Sequence, residues 1–151
     1  MIYLLDTDIL IFFIRGSKLT TPKNERERNL SSKAQLILAK WRYRKARGDT
    51  IALSSVSVAE LEYGAHRAEN YDREISAVAK ILSPFTILDF DRTCALEYGT
   101  IRFQLETAGI PIGAMDLLIA AHAQATGSTL VTNNHNCNHF NRIPGLHIES
   151  W

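Results

Sequence analysis

Short apolar runs alternate with segments of helical periodicity along the whole chain, and the first of these runs ends on two carboxylates. The first run, residues 1–5 (MIYLL), is apolar throughout, which predicts a strand buried on both faces. Strands separated by helices form βαβ units, whose parallel sheet is covered on both faces. We therefore predict an α/β fold of three layers with a central, mainly parallel sheet of four to five strands. The predicted strands are 1–5, 50–55, 85–90, 128–134 and, as a short fifth, 146–151.

The predicted helices fill the intervals between these strands. A short helix made of ILIFFI, residues 9–14, follows the first strand, with Thr7 or Asp8 as its N-terminal cap. The other helices, apart from one in the long segment described next, are predicted over 56–68, 72–83, 94–109 and 113–127.

A long segment separates the first helix from the second strand. Residues 17–29 are polar and predict a loop. A helix then begins at a cap supplied by Ser31 or Ser32 and ends at Gly48, because apolar residues recur at helical spacing between them.

Composition narrows the class of protein. The chain has 151 residues, 46% of them hydrophobic and 22% charged, which predicts a single globular domain over residues 1–151. A net charge of +1 gives no bulk attraction to nucleic acid. Two distant cysteines form no disulfide framework, and Asp6 and Asp8 interrupt the apolar N-terminal run. We therefore expect a cytoplasmic protein without a signal peptide or membrane span.

Polar side chains follow two of the predicted strands at their carboxyl ends. Asp6 and Asp8 follow the first strand, and Thr132, Asn133 and Asn134 end the fourth. In parallel α/β sheets, function collects at this edge. Each acid also has a purely structural interpretation as a turn or helix cap.

Three further acids lie on predicted helices. Asp116 stands in the first turn of a helix with almost no other polar surface, where free backbone N–H groups alone would stabilise it. Glu60 and Glu62 point about 160° apart on their helix, so only one of them faces a shared site. Periodicity does not decide which one.

Acids that converge at one sheet edge repel each other unless cations neutralise them. Oxygen-only ligands suit the hard cations Mg²⁺ and Mn²⁺. Such a site hydrolyses phosphodiesters by binding the scissile phosphate and activating water. The pattern thus favours a metal-dependent phosphodiester hydrolase.

Four motifs in order resemble those of PIN-domain ribonucleases, particularly the VapC toxins of bacterial toxin–antitoxin pairs. These are LLDTDILI, AELEYGA, IGAMDLLIAAHA, and LVTNN with the later segment FNRIPGLHIESW. The resemblance covers nearly the whole chain. It implies a PIN-like fold and a Mg²⁺- or Mn²⁺-dependent endoribonuclease that cuts RNA of the tRNA or rRNA class.

The resemblance also assigns residues. The family's acids fall on Asp6, Glu60 and Asp116, which are the implied catalytic and metal-binding residues, and this selects Glu60 over Glu62. Thr132 matches a hydroxyl residue that helps to hold the site.

Two departures from the family pattern stand out. Asn133 and Asn134 occupy positions where many members carry a fourth acid, which leaves open whether one or two metals bind. Asp8 brings an extra carboxylate that would partly compensate, so Asp8 and Asn134 join Thr132 as auxiliary candidates. The segment between Asp6 and Glu60 is also longer than usual.

Basic residues near the end of the second predicted helix suggest an RNA contact. Lys40, Arg44 and Arg47 share one face with Lys33 and are positioned to follow a phosphate backbone. The structural alternative is a solvated helix end stabilised by the helix dipole.

The apolar helix 9–14 indicates a partner. Six consecutive apolar residues leave a surface that the sheet alone cannot cover, because one helix faces a sheet on one side only. The remaining surface is covered by the helix within 33–48, by a second copy of the chain or by another protein. The VapC resemblance implies a cognate antitoxin in an apolar groove involving Phe12 or Phe13, and a homodimer.

Two other functions remain open from sequence. The DTD motif after a strand is similar to the nucleophile and acid pair of haloacid-dehalogenase-like phosphatases, although their downstream metal motif is missing. A non-catalytic RNA- or protein-binding PIN module is the other alternative.

Overall fold

A parallel sheet of five strands forms the centre of the molecule. The computed structural model describes residues 1–133 and 137–151, with the backbone alone for Cys137. The strand order across the sheet is β3-β2-β1-β4-β5, and all four pairings are parallel. The predicted α/β class and mainly parallel sheet are confirmed. The strands are β1 (Ile2–Leu5), β2 (Thr50–Ser54), β3 (Thr86–Leu88), β4 (Thr129–Thr132) and β5 (Ile148–Ser150).

Helices cover both faces of this sheet. Successive side chains of a strand point to opposite faces, so Leu5 and Leu53 join one core while Leu4 and Ala52 join the other. The helices are α1 (Thr7–Ser17), α2 (Glu25–Ala46), α3 (Ser55–His66), α4 (Tyr71–Leu82), α5 (Arg92–Thr107), α6 (Ala114–Ala125) and the single turn α7 (Cys137–Phe140).

The first helix begins earlier than predicted. Asp6 occupies the N-cap position of α1, and its side chain makes no capping hydrogen bond. Thr7 and Asp8, the predicted caps, are the first two residues of the helix itself. The prediction of the cap was therefore wrong by one or two residues.

The second helix also begins earlier than predicted. Asn24, not Ser31 or Ser32, caps α2, since its Oδ1 accepts a hydrogen bond from the Glu27 N–H at 2.9 Å. Glu27 in turn accepts from the Lys23 N–H at 2.7 Å, which completes a reciprocal cap. The predicted loop 17–29 is therefore only the short connection 18–24.

The long segment forms a helical hairpin with α1. Gly16 makes the close approach possible, because a Cβ atom there would lie 2.3 Å from the Leu30 carbonyl oxygen. Ile37 of α2 is fully buried in the core that α1 shares. Within the described residues, no helix combines the length and apolarity needed to cross a membrane.

Candidate active site

Asp6 lies at the carboxyl edge of the sheet, fixed from the neighbouring strand. Its backbone N–H donates to the Val131 carbonyl at 2.8 Å, and its Oδ2 accepts a 2.8 Å hydrogen bond from Thr132 Oγ1. Asp6 is 2% exposed and Thr132 is fully buried. The structure therefore brings together two residues that sequence analysis placed at this edge.

The start of α1 is also tied to α3. Thr7 and Ser57 share a buried hydrogen bond of 2.9 Å between their hydroxyl oxygens. Asp8, one residue further on, is exposed. The two predicted acids after β1 thus have different surroundings: Asp6 is held inside the molecule and Asp8 faces solvent.

Asp116 stands in the first turn of α6 and is half-buried. Burial raises the pKa of this carboxyl above its ordinary value, and the negative charge of Asp8 raises it further. His139 acts in the opposite direction and lowers the pKa of Asp116. A carboxylate whose ionised form is disfavoured in this way gains from a nearby cation.

His139 is a neighbour of Asp116 that sequence analysis did not select. Its Nδ1 lies 3.9 Å from Oδ2 of Asp116. His139 is positioned by the next residue, Phe140, whose apolar side chain is fully buried and anchors the turn α7. The placement of that turn depends on tertiary packing, which periodicity does not reveal.

The two glutamates of α3 have different surroundings, as their helical directions predict. Glu62 accepts a hydrogen bond from the Tyr71 hydroxyl and lies 3.7 Å from Nε2 of His66. Glu60 is half-buried, and the described part of the chain gives it no hydrogen bond or ion pair. It lines a cleft of about 200 Å³ that also includes Arg15 of α1 and Glu74 of α4.

The acids of this edge fit a hard divalent cation in the chemistry of their donors. Asp6, Asp8 and Asp116 offer only carboxylate oxygens, and the charge of Asp8 already acts on Asp116. Across residues 1–133 and 137–151, no three acidic, histidine or cysteine side chains form a ready cluster of metal ligands. The structure therefore supplies suitable donors at one edge without a closed cage.

A larger cleft adjoins the end of β4. It has a volume of about 620 Å³ and lies between α1 and the first half of α2. Phe12 forms part of its apolar wall, Arg15 and Lys33 are among its basic residues, and Asn133 lines it from the end of β4. Phe13, the alternative groove residue, is buried in the core, and Asn134 lies outside the described residues.

The basic face of α2 contacts the C-terminal strand. Arg44 donates to both carboxylate oxygens of Glu149, at 2.9 and 2.7 Å, and its guanidinium lies 4.4 Å from the centre of the Tyr3 ring. Lys33 donates to the Trp151 carbonyl, and Lys40 Nζ lies 3.4 Å from the Ser150 carbonyl oxygen. These contacts dock the helix on β5.

Arg47 differs from the other predicted RNA-binding residues of α2. It is exposed, with its guanidinium 5.6 Å from the centre of the Tyr43 ring. The RNA-binding role of Lys40, Arg44 and Arg47 stays a prediction.

The buried Asp6 at the carboxyl edge of the sheet, and the half-buried Asp116 on which the charge of Asp8 acts, provide the carboxylates that a metal-dependent hydrolase uses. A sequence model of the PIN domain matches residues 3–146. This match favours the PIN resemblance over the haloacid-dehalogenase alternative.

Curated relatives narrow the class. Ribonuclease VapC2 of Rickettsia felis is 38% identical over 151 residues, covering 100% of this chain and 98% of that protein. The tRNA(fMet)-specific endonuclease VapC of Salmonella typhimurium is 35% identical over 150 residues, with coverage of 99% and 97%. The chain belongs to the VapC ribonucleases of the PIN-domain family.

Solved structures agree with this assignment. The crystal structure of DNA-bound VapBC from Salmonella typhimurium matches with a TM-score of 0.80 and 32% identity, covering 100% of this chain and 98% of that one. VapBC2 of Rickettsia felis, bound to a DNA fragment from its promoter, matches with a TM-score of 0.75 and 37% identity, with coverage of 100% and 99%.

Proposed function

We propose that this ribonuclease is an endonuclease that requires Mg²⁺ or Mn²⁺, with Asp6, Glu60 and Asp116 as its catalytic and metal-binding carboxylates. The observation that carries the proposal is the state of Asp116. Its pKa is raised by burial and by Asp8, at the edge where Asp6 is held by Thr132. A site that collects repelling carboxylates is poised for a divalent cation.

Each side chain has a separate task in this proposal. Asp6, fixed by Thr132, holds one ligand oxygen in a constant position. Asp116 and Glu60 complete the set of carboxylates that would bind the metal or orient its water. Asp8, Thr132 and Asn134 assist as auxiliary residues. A bound cation would bind the scissile phosphate as a Lewis acid and lower the pKa of the attacking water.

The substrate we propose is tRNA. A relative that is 35% identical over 99% of this chain is named a tRNA(fMet)-specific endonuclease. Arg47 of α2, which belongs to the predicted basic face, is exposed and accessible to a phosphate backbone.

A cleavage assay tests the proposal. The purified chain is incubated with initiator tRNA, an elongator tRNA and ribosomal RNA, in Mg²⁺, in Mn²⁺ and in EDTA. We expect cleavage of initiator tRNA with either cation, none in EDTA, and none by Asp116→Asn. Cleavage that persists in EDTA overturns the metal mechanism, and preferential cleavage of ribosomal RNA overturns the choice of substrate.

The partner we propose is an antitoxin that occupies the cleft between α1 and α2. The structural neighbours in Salmonella typhimurium and Rickettsia felis are VapBC complexes. Here the cleft combines an apolar wall at Phe12 with a position next to Asn133, close to the acidic edge. A partner segment with apolar anchors and one basic side chain would fit both features.

We also propose that two copies of the chain associate through α5. Leu96 and Phe103 lie seven residues apart on this helix and are 64% and 72% exposed. Gly99 between them leaves open space above the helix backbone. Sedimentation of the wild type should give a dimer and Phe103→Glu a monomer, whereas a monomeric wild type overturns the proposal.

A further inference from the structure

We propose that His139 is an additional metal-binding residue of the acidic site, and that its imidazole nitrogen shifts the preference of the site from Mg²⁺ toward Mn²⁺. The inference rests on the proposed metal dependence and adds to it a ligand of a different chemical kind.

The position of His139 is the first support. Its Nδ1 lies 3.9 Å from Oδ2 of Asp116, which is longer than a hydrogen bond. Two donors that each lie about 2.1 Å from one cation are separated by about 3.0 Å when adjacent and about 4.2 Å when opposite. The observed separation lies between these two values, so a small rotation of one side chain brings both donors to a shared cation. The side chains of His139 and Asp116 are 49% and 35% exposed, so a hydrated ion can reach both.

The anchoring of α7 is the second support. Phe140 and Ile143 are buried in the core beneath α5 and α6, on either side of the turn that follows His139. Arg142 donates to the carbonyl of Pro111 at 3.1 Å, in the loop that leads into the Asp116 helix. The segments that carry His139 and Asp116 are therefore bonded to each other, which keeps the two residues close together.

The chemistry of the donors gives the expected selectivity. Residues 133–141 contain no aspartate or glutamate, so the side chain that this segment places near Asp116 is the imidazole of His139 and not a carboxylate. Imidazole is a ligand for transition metals, of which Mn²⁺ is the weakest binder, whereas Mg²⁺ keeps oxygen ligands and water. An added imidazole therefore strengthens the binding of Mn²⁺ more than that of Mg²⁺.

The experiment measures the metal without RNA. The full-length chain is loaded with Mn²⁺, and electron spin echo spectroscopy is used to detect ¹⁴N coupling to the bound ion. Mn²⁺ and Mg²⁺ affinities are measured by calorimetry for the wild type, His139→Ala and His139→Gln. The matched control is His147→Ala, since His147 is exposed and lies just before β5, at the amino end of the sheet.

We expect ¹⁴N coupling in the wild type and in His147→Ala, and none in the two His139 variants. Loss of the ligand should raise the Kd for Mn²⁺ about tenfold or more and the Kd for Mg²⁺ by less than about threefold. Unchanged circular dichroism would show that the variants are folded, as the exposure of His139 predicts.

The results that overturn the inference are distinct from those that overturn the proposed function. Mn²⁺ binding without ¹⁴N coupling, or coupling that persists in His139→Ala, shows that His139 does not bind the metal. The carboxylate site then stands. A wild-type chain that binds neither cation overturns both.

Discussion

The hydroxyl of Thr132 donates a 2.8 Å hydrogen bond to Oδ2 of Asp6, across the boundary between the two central strands. Leu5 lies opposite Val131 in the parallel register, so the next residue of each strand stands beside the other at the carboxyl edge. Neither side chain has appreciable contact with solvent, since they are 2% and 0% exposed. Folding alone therefore fixes one carboxylate of the site.

Removing this hydroxyl should weaken activity. Thr132→Val keeps the shape and loses the donor to a buried carboxylate, so we expect a loss of stability of about 2 kcal/mol. Because Asp6 would lose the contact with Thr132 that positions its Oδ2, cleavage should fall about tenfold or more. Thr132→Ser retains the hydroxyl and is the control. Kinetics and urea denaturation measure both effects, and equal activity in Val and Ser variants would contradict the positioning role.

Substitutions of the two glutamates of α3 should have different effects on RNA cleavage. Glu60→Gln should be inactive and fold normally, because its carboxylate has no partner among the described residues. Glu62→Gln should stay active, since Glu62 is occupied by Tyr71. Tyr71→Phe removes the donor of this hydrogen bond, whereas Glu62→Gln keeps an acceptor oxygen, so Tyr71→Phe should also leave cleavage nearly unchanged. Equal losses of cleavage at 60 and 62 would show that the resemblance misassigns the site.

Much of this edge was predictable from sequence because it depends on local rules. A buried run such as 1–5 predicts a strand, and parallel strands bring their carboxyl ends to one edge, so Asp6 and Thr132 were expected together. Glu62 was harder to place, since its engagement with Tyr71 depends on how α4 packs against α3.

Other features escaped sequence analysis for physical reasons. The start of α2 depends on a cap between Asn24 and Glu27 in a segment with no apolar periodicity, so the polar stretch resembled a loop. His139 is placed by the burial of Phe140, which is a tertiary effect. Capping chemistry offered a signal for the first of these, because Asn followed three residues later by Glu is a known helix start.

The raised pKa of Asp116 predicts that the stability of the protein depends on pH. Its pKa is raised in the folded protein, which therefore binds a proton more strongly than the unfolded chain does. The free energy of unfolding should thus fall as pH rises through the carboxyl range. Asp116→Asn removes this loss. In EDTA, the free energy of unfolding of the variant relative to that of the wild type should therefore increase from about pH 4 to about pH 7.5.

Thermal melts of both proteins at the two pH values measure this gain. Added Mn²⁺ should raise the Tm of the wild type and leave Asp116→Asn nearly unchanged. A variant that is less stable than the wild type at neutral pH in EDTA would contradict the conclusion that the ionised Asp116 destabilises the folded protein.

His122 predicts an opposite dependence on pH. It is fully buried, with Nδ1 2.8 Å from the Ser54 hydroxyl oxygen, and burial lowers its pKa although Asp91 and Asp89 partly offset the effect. The unfolded chain therefore takes up a proton near its ordinary value, while the folded protein resists it.

Stability from His122 is thus fully present above about pH 6.5 and is lost as pH falls below that value. Urea denaturation between about pH 7.5 and about pH 5 should show a shallower loss for His122→Asn than for the wild type. The exposed His147→Asn is the control and should follow the wild type. Identical slopes for all three would indicate that another group governs acid stability.

Phe12 offers a test of the proposed antitoxin cleft that leaves the nuclease intact. It is half-buried, forms the apolar wall of the 620 Å³ cleft and belongs to no carboxylate contact. Phe12→Ala should weaken binding of the protein encoded beside this chain about tenfold or more, because aromatic anchors carry most of the affinity of an interface. Leu36→Ala is the matched control, since Leu36 is 47% exposed on α2 and does not line the cleft.

Expression of the wild type alone should arrest growth, and co-expression of the partner should relieve it. The Phe12 variant should still cleave RNA and arrest growth, but relief by the partner should fail. Full relief of the Phe12 variant together with loss of relief for the Leu36 variant would place the partner on the outer face of α2 instead.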